Sequence, residues 1–272
     1  MTRIKDSVAV ITGGASGIGA ALAVELASRG ASVVIADVDV DGLERVSRDV
    51  QATGAECLAC VVDVADRSAV DTLVADVEAR YGRASILVNN AGVTLFGTAE
   101  DTSAGDLEWL MGVNFWGVVN GCSAFLPMLR KEDSAHIVNL SSLFGLISVP
   151  LQSAYNASKF AVRGYTDAMR MELEGSTIGV TCVHPGGVLT PIARRGRLGD
   201  GVARERFNRL VNTFESRTMT TPEQAARQIA DAIEKNRKRL LIGADARIID
   251  KLARLLPGAY DRLLGLRKLT RE

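Results

Sequence analysis

Tyr155 and Lys159 stand four residues apart in SAYNASKFAVRG. That spacing puts both on one face of any helix formed there, about 6 Å apart at Cβ. A free tyrosine, with a pKa of about 10, is a poor base near neutrality, and a neighbouring ammonium favours its phenolate and lowers that pKa. Ser142, thirteen residues before Tyr155, ends an apolar run and can hold a substrate oxygen while a proton moves. Together they describe acid–base chemistry on a hydroxyl or carbonyl group. Chance supplies Y-x-x-x-K often, so the pair counts only if the rest of the chain delivers it to a binding site.

A second constellation reads as a nucleotide end. The run SVAVIT leads into Thr12-Gly13-Gly14-Ala15-Ser16-Gly17-Ile18-Gly19 and then a helical stretch. Glycines permit a tight turn and let backbone N–H groups approach a pyrophosphate, whose charge the helix N-terminus also favours. Ala15 stands where the G-x-G-x-x-G pattern needs a glycine, and a ligand-free strand–helix turn is the alternative. Asp37, eighteen residues after Gly19 at the tip of ASVVIAD, can accept hydrogen bonds from ribose hydroxyls and would repel a 2′-phosphate. Neither the glycine turn nor Val38 supplies an Arg or Lys, so the charge pattern predicts NAD over NADP. Asp63, ending the third apolar run, is placed either to meet an adenine amino group or to cap the following turn.

The elements that must position these groups alternate along the chain. SVAVIT, ASVVIA, ECLACVVD, SILVNN, HIVNLSS, IGVTCVH and KRLLIG are short, β-branched-rich runs suited to a buried parallel sheet. Amphipathic stretches separate them, including a long helical piece around 104–131 and another from Ser153. The pattern predicts an α/β fold: a doubly wound parallel sheet of about seven strands, helices on both faces, and a helical C-terminal tail. One domain over 1–244 is expected, with residues 190–217 as a lid inside it and 245–272 as a basic amphipathic extension.

Composition narrows the function. The 272 residues carry 32 basic and 32 acidic side chains, which gives no reason to expect nucleic acid as partner. The balance is uneven, because residues 235–272 hold eleven Lys/Arg against four Asp/Glu. Four cysteines make no disulfide framework, and Cys57 and Cys60 fall within a strand-like run. With only His136 and His184 available, no metal site is expected. No apolar run reaches spanning length, so a reducing cytoplasmic setting is expected.

Taken in order, these motifs resemble the single-domain short-chain dehydrogenase/reductase family. T-G-x-x-x-G-x-G lies at 12–19, N-N-A-G at 89–92, and an Asn in the central helix at 114. Ser142, Tyr155 and Lys159 have the family spacing, and P-G-x-x-x-T falls at Pro185, Gly186 and Thr190. The resemblance spans roughly residues 5–245 and implies an NAD(P)-dependent oxidoreductase with Tyr155 as general acid/base and Ser142 orienting the carbonyl or alcohol. It implies that Lys159 binds the nicotinamide ribose and lowers the Tyr155 pKa, and that Asn114 places a water linking Lys159 to solvent. Cofactor contacts implied in the same way are Gly13, Ser16, Gly17, Ile18 and Gly19, then Asp37, Asp63 and Val64. They continue through Asn90, Ala91 and Gly92 to Pro185, Gly186, Val188 and Thr190. Family members are commonly tetramers, so a homo-oligomer, dimer or tetramer, is expected.

The leading reading is alcohol dehydrogenase and ketone reductase chemistry on a secondary alcohol or ketone. Leu95, Phe96, Phe144, Leu146, Val149, Leu151, Leu189 and Ile192 follow the chemistry-bearing strands, and their apolarity points to a steroid, terpenoid or fatty-acyl substrate. The alternative is an NAD(H)-binding regulatory or scaffold protein that kept the fold, against which the intact Asn–Ser–Tyr–Lys set counts. The lid's arginines could meet an anionic substrate group, or simply be solvated. In the tail, Ile248, Ile249, Leu252, Leu255 and Leu256 form one apolar stripe, and Leu263, Leu264, Leu266 and Leu269 a second. Packing against the same protein or a partner subunit is favoured for them over contact with a membrane surface.

Overall fold

The computed structural model describes residues 2–266. Strands and helices alternate as β1 (Val8–Thr12), α1 (Gly17–Ser28), β2 (Ser32–Asp37), α2 (Val40–Gln51), β3 (Cys57–Val61), α3 (Arg67–Tyr81) and β4 (Ile86–Asn89). After the short β5 (Leu95–Phe96) come α4 (Ala104–Met111), α5 (Gly117–Leu129), β6 (Ala135–Leu140), α6 (Ser153–Glu172) and β7 (Ile178–Pro185). The chain ends with β8 (Arg197–Leu198), α7 (Arg204–Arg217), α8 (Pro222–Glu234), β9 (Arg239–Ile242), α9 (Ala244–Leu255) and α10 (Tyr260–Leu263).

Seven strands form one parallel sheet in the order β3-β2-β1-β4-β6-β7-β9. The chain winds outward from β1 in one direction and from β4 in the other, so a crevice opens between the carboxyl ends of these two strands. Val, Ile and Leu fill both faces of the central strands, as burial on two sides requires. One core packs Leu22, Leu26, Leu43, Ile229 and Ile233 of α1, α2 and α8 against the sheet. The opposite core uses Leu73, Val77, Phe125, Leu129 and Val162 of α3, α5 and α6.

Local chemistry sets the helix ends. Asp39 and Asp66 cap α2 and α3, and Thr221 with Gln224 makes a reciprocal capping box around Pro222 at the start of α8. The piece expected as one helix over 104–131 contains a π turn at Gly112–Trp116, with Asn114 inside it. Such turns insert an extra residue per turn and re-aim side chains, often at functional sites.

The segment 190–217 is no bare loop. β8 pairs with β5, and Phe96 meets Phe207 edge-on at 5.1 Å, within a small core of Ala193, Leu198 and Val211. Its glycines are points of close approach: a Cβ on Gly199 would lie 2.6 Å from Asp101 O. Three of its arginines are already engaged. Arg194 pairs with Glu215, Arg195 with Asp39 at 3.4 Å, and Arg197 with Asp106 while stacking 3.6 Å over Trp109.

The tail also departs from the expected single stripe. Ile249 and Ala253 turn inward beside buried Ala246, whereas Ile248 and Leu255 are 66% and 79% exposed. Neighbours one residue apart on a helix differ by about 100°, so the five apolar positions cannot all share one face. Leu264 packs inward and Leu263 outward; Leu269 lies outside the described residues. Among the described residues no helix is long and apolar enough to cross a membrane, and no cluster of His, Cys, Asp or Glu is arranged to hold a metal.

Candidate active site

Every motif singled out above lies at or just beyond the carboxyl edge of the sheet. β1 leads through Gly13 (φ 66°) and Gly17 (φ 55°) into α1. A Cβ on Gly19 would sit 2.1 Å from Gly13 O, and one on Gly13 would sit 2.7 Å from Ala91 Cα, so this turn admits only glycine at both places. Ser16 makes no side-chain cap on α1, and no acid occupies its first turn. The first N–H groups of α1 and the positive end of its dipole therefore stand available to an anion.

The Asp37 carboxylate braces this turn, accepting Ala15 N–H at 3.0 Å on one oxygen and Val38 and Asp39 N–H at 2.8 and 3.1 Å on the other. Arg45, which nothing in the motif reading singled out, reaches from α2 to Ala15 O at 2.9 Å. Asp63 is exposed and accepts Ala65 N–H at 2.9 Å, which is the turn-capping role. Val64 is buried against α5, where a Cβ on Gly117 would come within 2.6 Å of its side chain.

Between the two ends, Asn90 ties the strands together. Its amide donates to Thr12 O and Gly13 O at 3.0 and 2.9 Å, while Thr12 Oγ1 accepts the N–H groups of Asn90 and Ala91. Beneath it lies a buried polar chain: Asn89 donates to Asn139 at 2.8 Å, and Asn139 donates to Thr166 at 3.0 Å. These bonds run from β4 through β6 to α6, the helix that carries Tyr155 and Lys159. Thr12, Asn89, Asn139 and Thr166 were missed as site supports. For Thr12, Asn89 and Asn139 the signal was a polar residue inside an otherwise apolar strand, which costs stability unless it is paired, whereas Thr166 lies in α6 and gave no such signal.

At the chemistry end, Ser142 lies beside the Tyr155 phenol and accepts Phe144 N–H at 3.1 Å, and Phe144 meets the Tyr155 ring edge-on at 6.2 Å. The Lys159 ammonium lies 5.7 Å from the centre of that ring and donates to Leu140 O at 3.0 Å. Ser141 Oγ donates to Lys159 O at 2.8 Å, fixing α6 on the end of β6. Asn114 is fully buried; it accepts Val93 N–H at 2.8 Å and donates to Val93 O and Ser158 Oγ, both at 3.0 Å. Gly92 passes between them, since a Cβ there would be 3.4 Å from both Asn114 Oδ1 and Lys159 Nζ.

The electrostatics differ from the simple expectation of a lowered tyrosine. Burial pushes the Tyr155 phenol up to about 12, opposed by the nearby Ser142 side chain. Burial also lowers Lys159 to about 8. In the folded chain by itself, desolvation outweighs the ammonium's pull on the phenol, because Lys159 is directed at a backbone carbonyl.

The last corner is built by β7 and the tail. His184 is buried and held neutral, its pKa lowered by burial to about 4, and its Nδ1 hydrogen-bonds Ser142 O at 3.2 Å. Gly186 N–H donates to Ile242 O, and Gly187 N–H donates to Asp245 Oδ2 at 2.7 Å. Beyond Pro185, the chain bridges Val188 to Thr220 and lays Thr190 over the glycine turn; a Cβ on Gly17 would be 3.1 Å from Thr190 Cγ2. The crevice thus offers a glycine cradle, an anion-favouring helix end, a carboxylate at the β2 tip, and a Ser–Tyr–Lys group at its far end. Those features fit a dinucleotide with a reactive ring beside Tyr155.

Comparison with known proteins agrees. The family model described as short chain dehydrogenase matches residues 7–200. Among curated proteins, the chain is 43% identical over 268 residues to the putative oxidoreductase SadH of Mycobacterium tuberculosis, covering 97% of this chain and 96% of that one. A short chain dehydrogenase/reductase from Burkholderia phymatum, solved in complex with NAD, superposes with a TM-score of 0.85 at 33% identity, over 94% of this chain and 96% of that one. A short chain dehydrogenase from Mycobacterium paratuberculosis bound to NAD gives 0.76 at 27% identity, over 89% and 97% of the two chains.

Proposed function

The chain belongs to the short chain dehydrogenase family, and from that premise we propose that it interconverts a secondary alcohol and a ketone on a hydrophobic substrate, using NAD. NAD, when bound, supplies the hydride acceptor or donor. The glycine turn from Gly13 to Gly19 would hold the pyrophosphate, Asp37 the adenine-side ribose, and the Asn90–Gly92 strand end the cofactor's flank. Val188 and Thr190 would meet the carboxamide.

Tyr155 would give a proton to the nascent alkoxide in reduction and take it from the alcohol in oxidation, while Ser142 orients the same oxygen. Lys159 would anchor the nicotinamide ribose and connect Tyr155 to solvent by way of Asn114. The observation that carries this reading is the convergence of Ser142, Tyr155 and Lys159 at the carboxyl edge of the sheet, with the Lys159 ammonium 5.7 Å from the centre of the Tyr155 ring. With three of its arginines already engaged, the lid offers less to an anionic substrate than its composition implies, which favours an uncharged one. Exposed Leu107, Trp116 and Met171 on α4, the π turn and α6 fit a homo-oligomer built through these helices.

The test is Tyr155→Phe with a panel of hydrophobic and polar secondary alcohols. Loss of at least about 10²-fold in kcat, with NAD binding retained, is expected from the share of rate that acid–base catalysis supplies. Near-normal turnover by the phenylalanine variant would refute the proton chemistry, and turnover of sugars alone would refute the hydrophobic substrate.

A further inference from the structure

We propose that the outward side of α9 docks on a lipid surface rich in anionic headgroups, an inference that does not depend on the alcohol–ketone reading above. Successive residues of a helix advance by about 100°, so α9 divides into three stripes. Ala246, Ile249, Asp250 and Ala253 face the body. There Ala246, Ile249 and Ala253 share a cluster with Leu143, Phe144 and Ile147, and Asp250 pairs with Arg239. Ile248, Leu252 and Leu255 recur at spacings of four and three on a second stripe. Ile248 and Leu255 are exposed, Leu252 is half-buried, and exposed Leu256 follows the helix. Arg247, Lys251 and Arg254 repeat the same spacing on a third stripe beside the apolar one, and all three are exposed.

Those cations are not consumed by the fold. Arg247 reaches only Gln228 Oε1, at 3.3 Å, and no ion pair joins Arg247, Lys251 or Arg254 to an acid among the described residues. Asp250, one turn before Arg254, is taken up by Arg239 at 3.0 and 2.7 Å. The other acid of α9, Asp245, accepts Gly187 N–H. The outward surface of α9 is therefore aliphatic along one stripe and positive along the next, with no acid left to answer that charge.

Charge and apolarity together select the occupant. Aliphatic side chains flanked by Lys and Arg suit the boundary between headgroups and acyl chains, where the apolar stripe leaves water and the cations meet phosphate or carboxylate. A second copy of the chain meets the charge less well. A two-fold contact sets the same patch against itself, and this patch brings three cations and no unengaged acid. The surface also lies apart from α4, the π turn and α6, whose exposed Leu107, Trp116 and Met171 fit the subunit contact. A nucleic acid would pair the cations but leave Ile248 and Leu255 in water. Docking has a consequence for the site, because the inward side of α9 packs on the segment carrying Phe144, which meets Tyr155 edge-on. One helix diameter, about 10 Å, would then separate that segment from the lipid.

The test sediments the full chain with vesicles of equal parts phosphatidylserine and phosphatidylcholine, and with phosphatidylcholine alone, at low and high salt. Binding to the mixed vesicles at low salt, weakened by added salt and far weaker on phosphatidylcholine, is expected. A cation near such a surface contributes about fivefold (about 1 kcal/mol), so Arg247→Gln, Lys251→Gln and Arg254→Gln combined should weaken binding about 10²-fold. Ile248→Ser with Leu255→Ser should weaken it at least about tenfold. All five positions are exposed, and unchanged NAD titration in each variant confirms that the fold is kept. No binding by the wild type at low salt, equal binding to both vesicle types, or undiminished binding by either variant overturns the proposal. Full loss of binding on deleting residues 267–272 would move the surface to the chain's end and also overturn it. If the serine variant instead alters the sedimentation coefficient of the lipid-free protein, α9 forms a subunit contact and the proposal falls.

Discussion

Asp245 offers a direct test of whether the tail supports the proposed cofactor corner. It sits in the first turn of α9, and its Oδ2 accepts Gly187 N–H at 2.7 Å. The carboxylate lies so close to the backbone that a Cβ on Gly186 or Gly243 would come within 2.2 or 2.3 Å of it. Gly186 and Gly187 lead directly into Val188 and Thr190, the proposed carboxamide contacts. A hydrogen bond to a charged group is worth about 1.5–3 kcal/mol when protected from water. Asp245 is exposed, so solvent screening leaves about 1 kcal/mol, or roughly fivefold in affinity. Asp245→Ala should therefore weaken NAD about fivefold in calorimetric titration and leave ADP-ribose, which lacks the nicotinamide, unchanged. Asp245→Asn keeps an acceptor and should recover most of the loss. Equal weakening of both ligands would mean that the residue only supports the fold; no change in either would remove it from the cofactor corner altogether.

Other substitutions probe the remaining parts. Gly19→Ala should lower NAD affinity at least about tenfold, although alanine favours a helix, because its Cβ would meet Gly13 O at 2.1 Å; unchanged titration would contradict that packing. Asp37→Asn removes the charge and keeps one acceptor oxygen, enough for Val38 and Asp39 but not also for Ala15, so both affinities can fall while the ratio of NADP to NAD affinity should rise about tenfold or more. An unchanged ratio would show that charge is not the discriminator. His136 and His184 are held neutral by burial, with pKa values of about 4 against the unperturbed 6.5. Between those values the unfolded chain binds protons that the folded chain refuses. Their contribution is therefore complete above pH 6.5 and is lost toward pH 4, at about 1.4 kcal/mol per pH unit for each histidine. Urea midpoints should fall accordingly below pH 6.5, and less steeply in His184→Asn; a flat profile from pH 7 to 5 would contradict it.

The sheet was legible because its signal is local. Seven β-branched runs separated by amphipathic helices admit few arrangements once crossovers are right-handed. Motif spacing likewise found the glycine turn, Asn90, Ser142, Tyr155 and Lys159, all of which the fold brings to the carboxyl edge. What spacing could not show was direction and solvation. Lys159 is directed at Leu140 O and Tyr155 is desolvated, so the simple pairing of base and ammonium misses the dominant effect. The π turn was illegible for a related reason, since one extra residue per turn leaves the apolar pattern of a long helix nearly unchanged. Residues 190–217 looked like a glycine-rich lid. Its stability comes from Phe96, more than a hundred residues from Phe207 in sequence, which no local window can join.

The uneven charge of the tail has a different meaning once its anchors are visible. An acidic-leaning body followed by a basic segment invites the idea that opposite charges hold the two together. Yet the described contacts run through the tail's few acids. Asp245 binds Gly187, and buried Asp250 makes a two-point pair with Arg239 at 3.0 and 2.7 Å. Ile249, Ala253, Tyr260 and Leu264 supply the apolar contact. Arg247, Lys251 and Arg254 make no ion pair with the body among the described residues; Arg247 reaches only Gln228, at 3.3 Å. Surface charge is a weak and salt-sensitive adhesive, whereas a buried bidentate pair and an apolar face resist screening. The tail's attachment is therefore set by its inward carboxylates and apolar side chains. Among the described residues beyond Gly243, the tail's cations make no ion pair with the body, so folding does not account for their share of the excess.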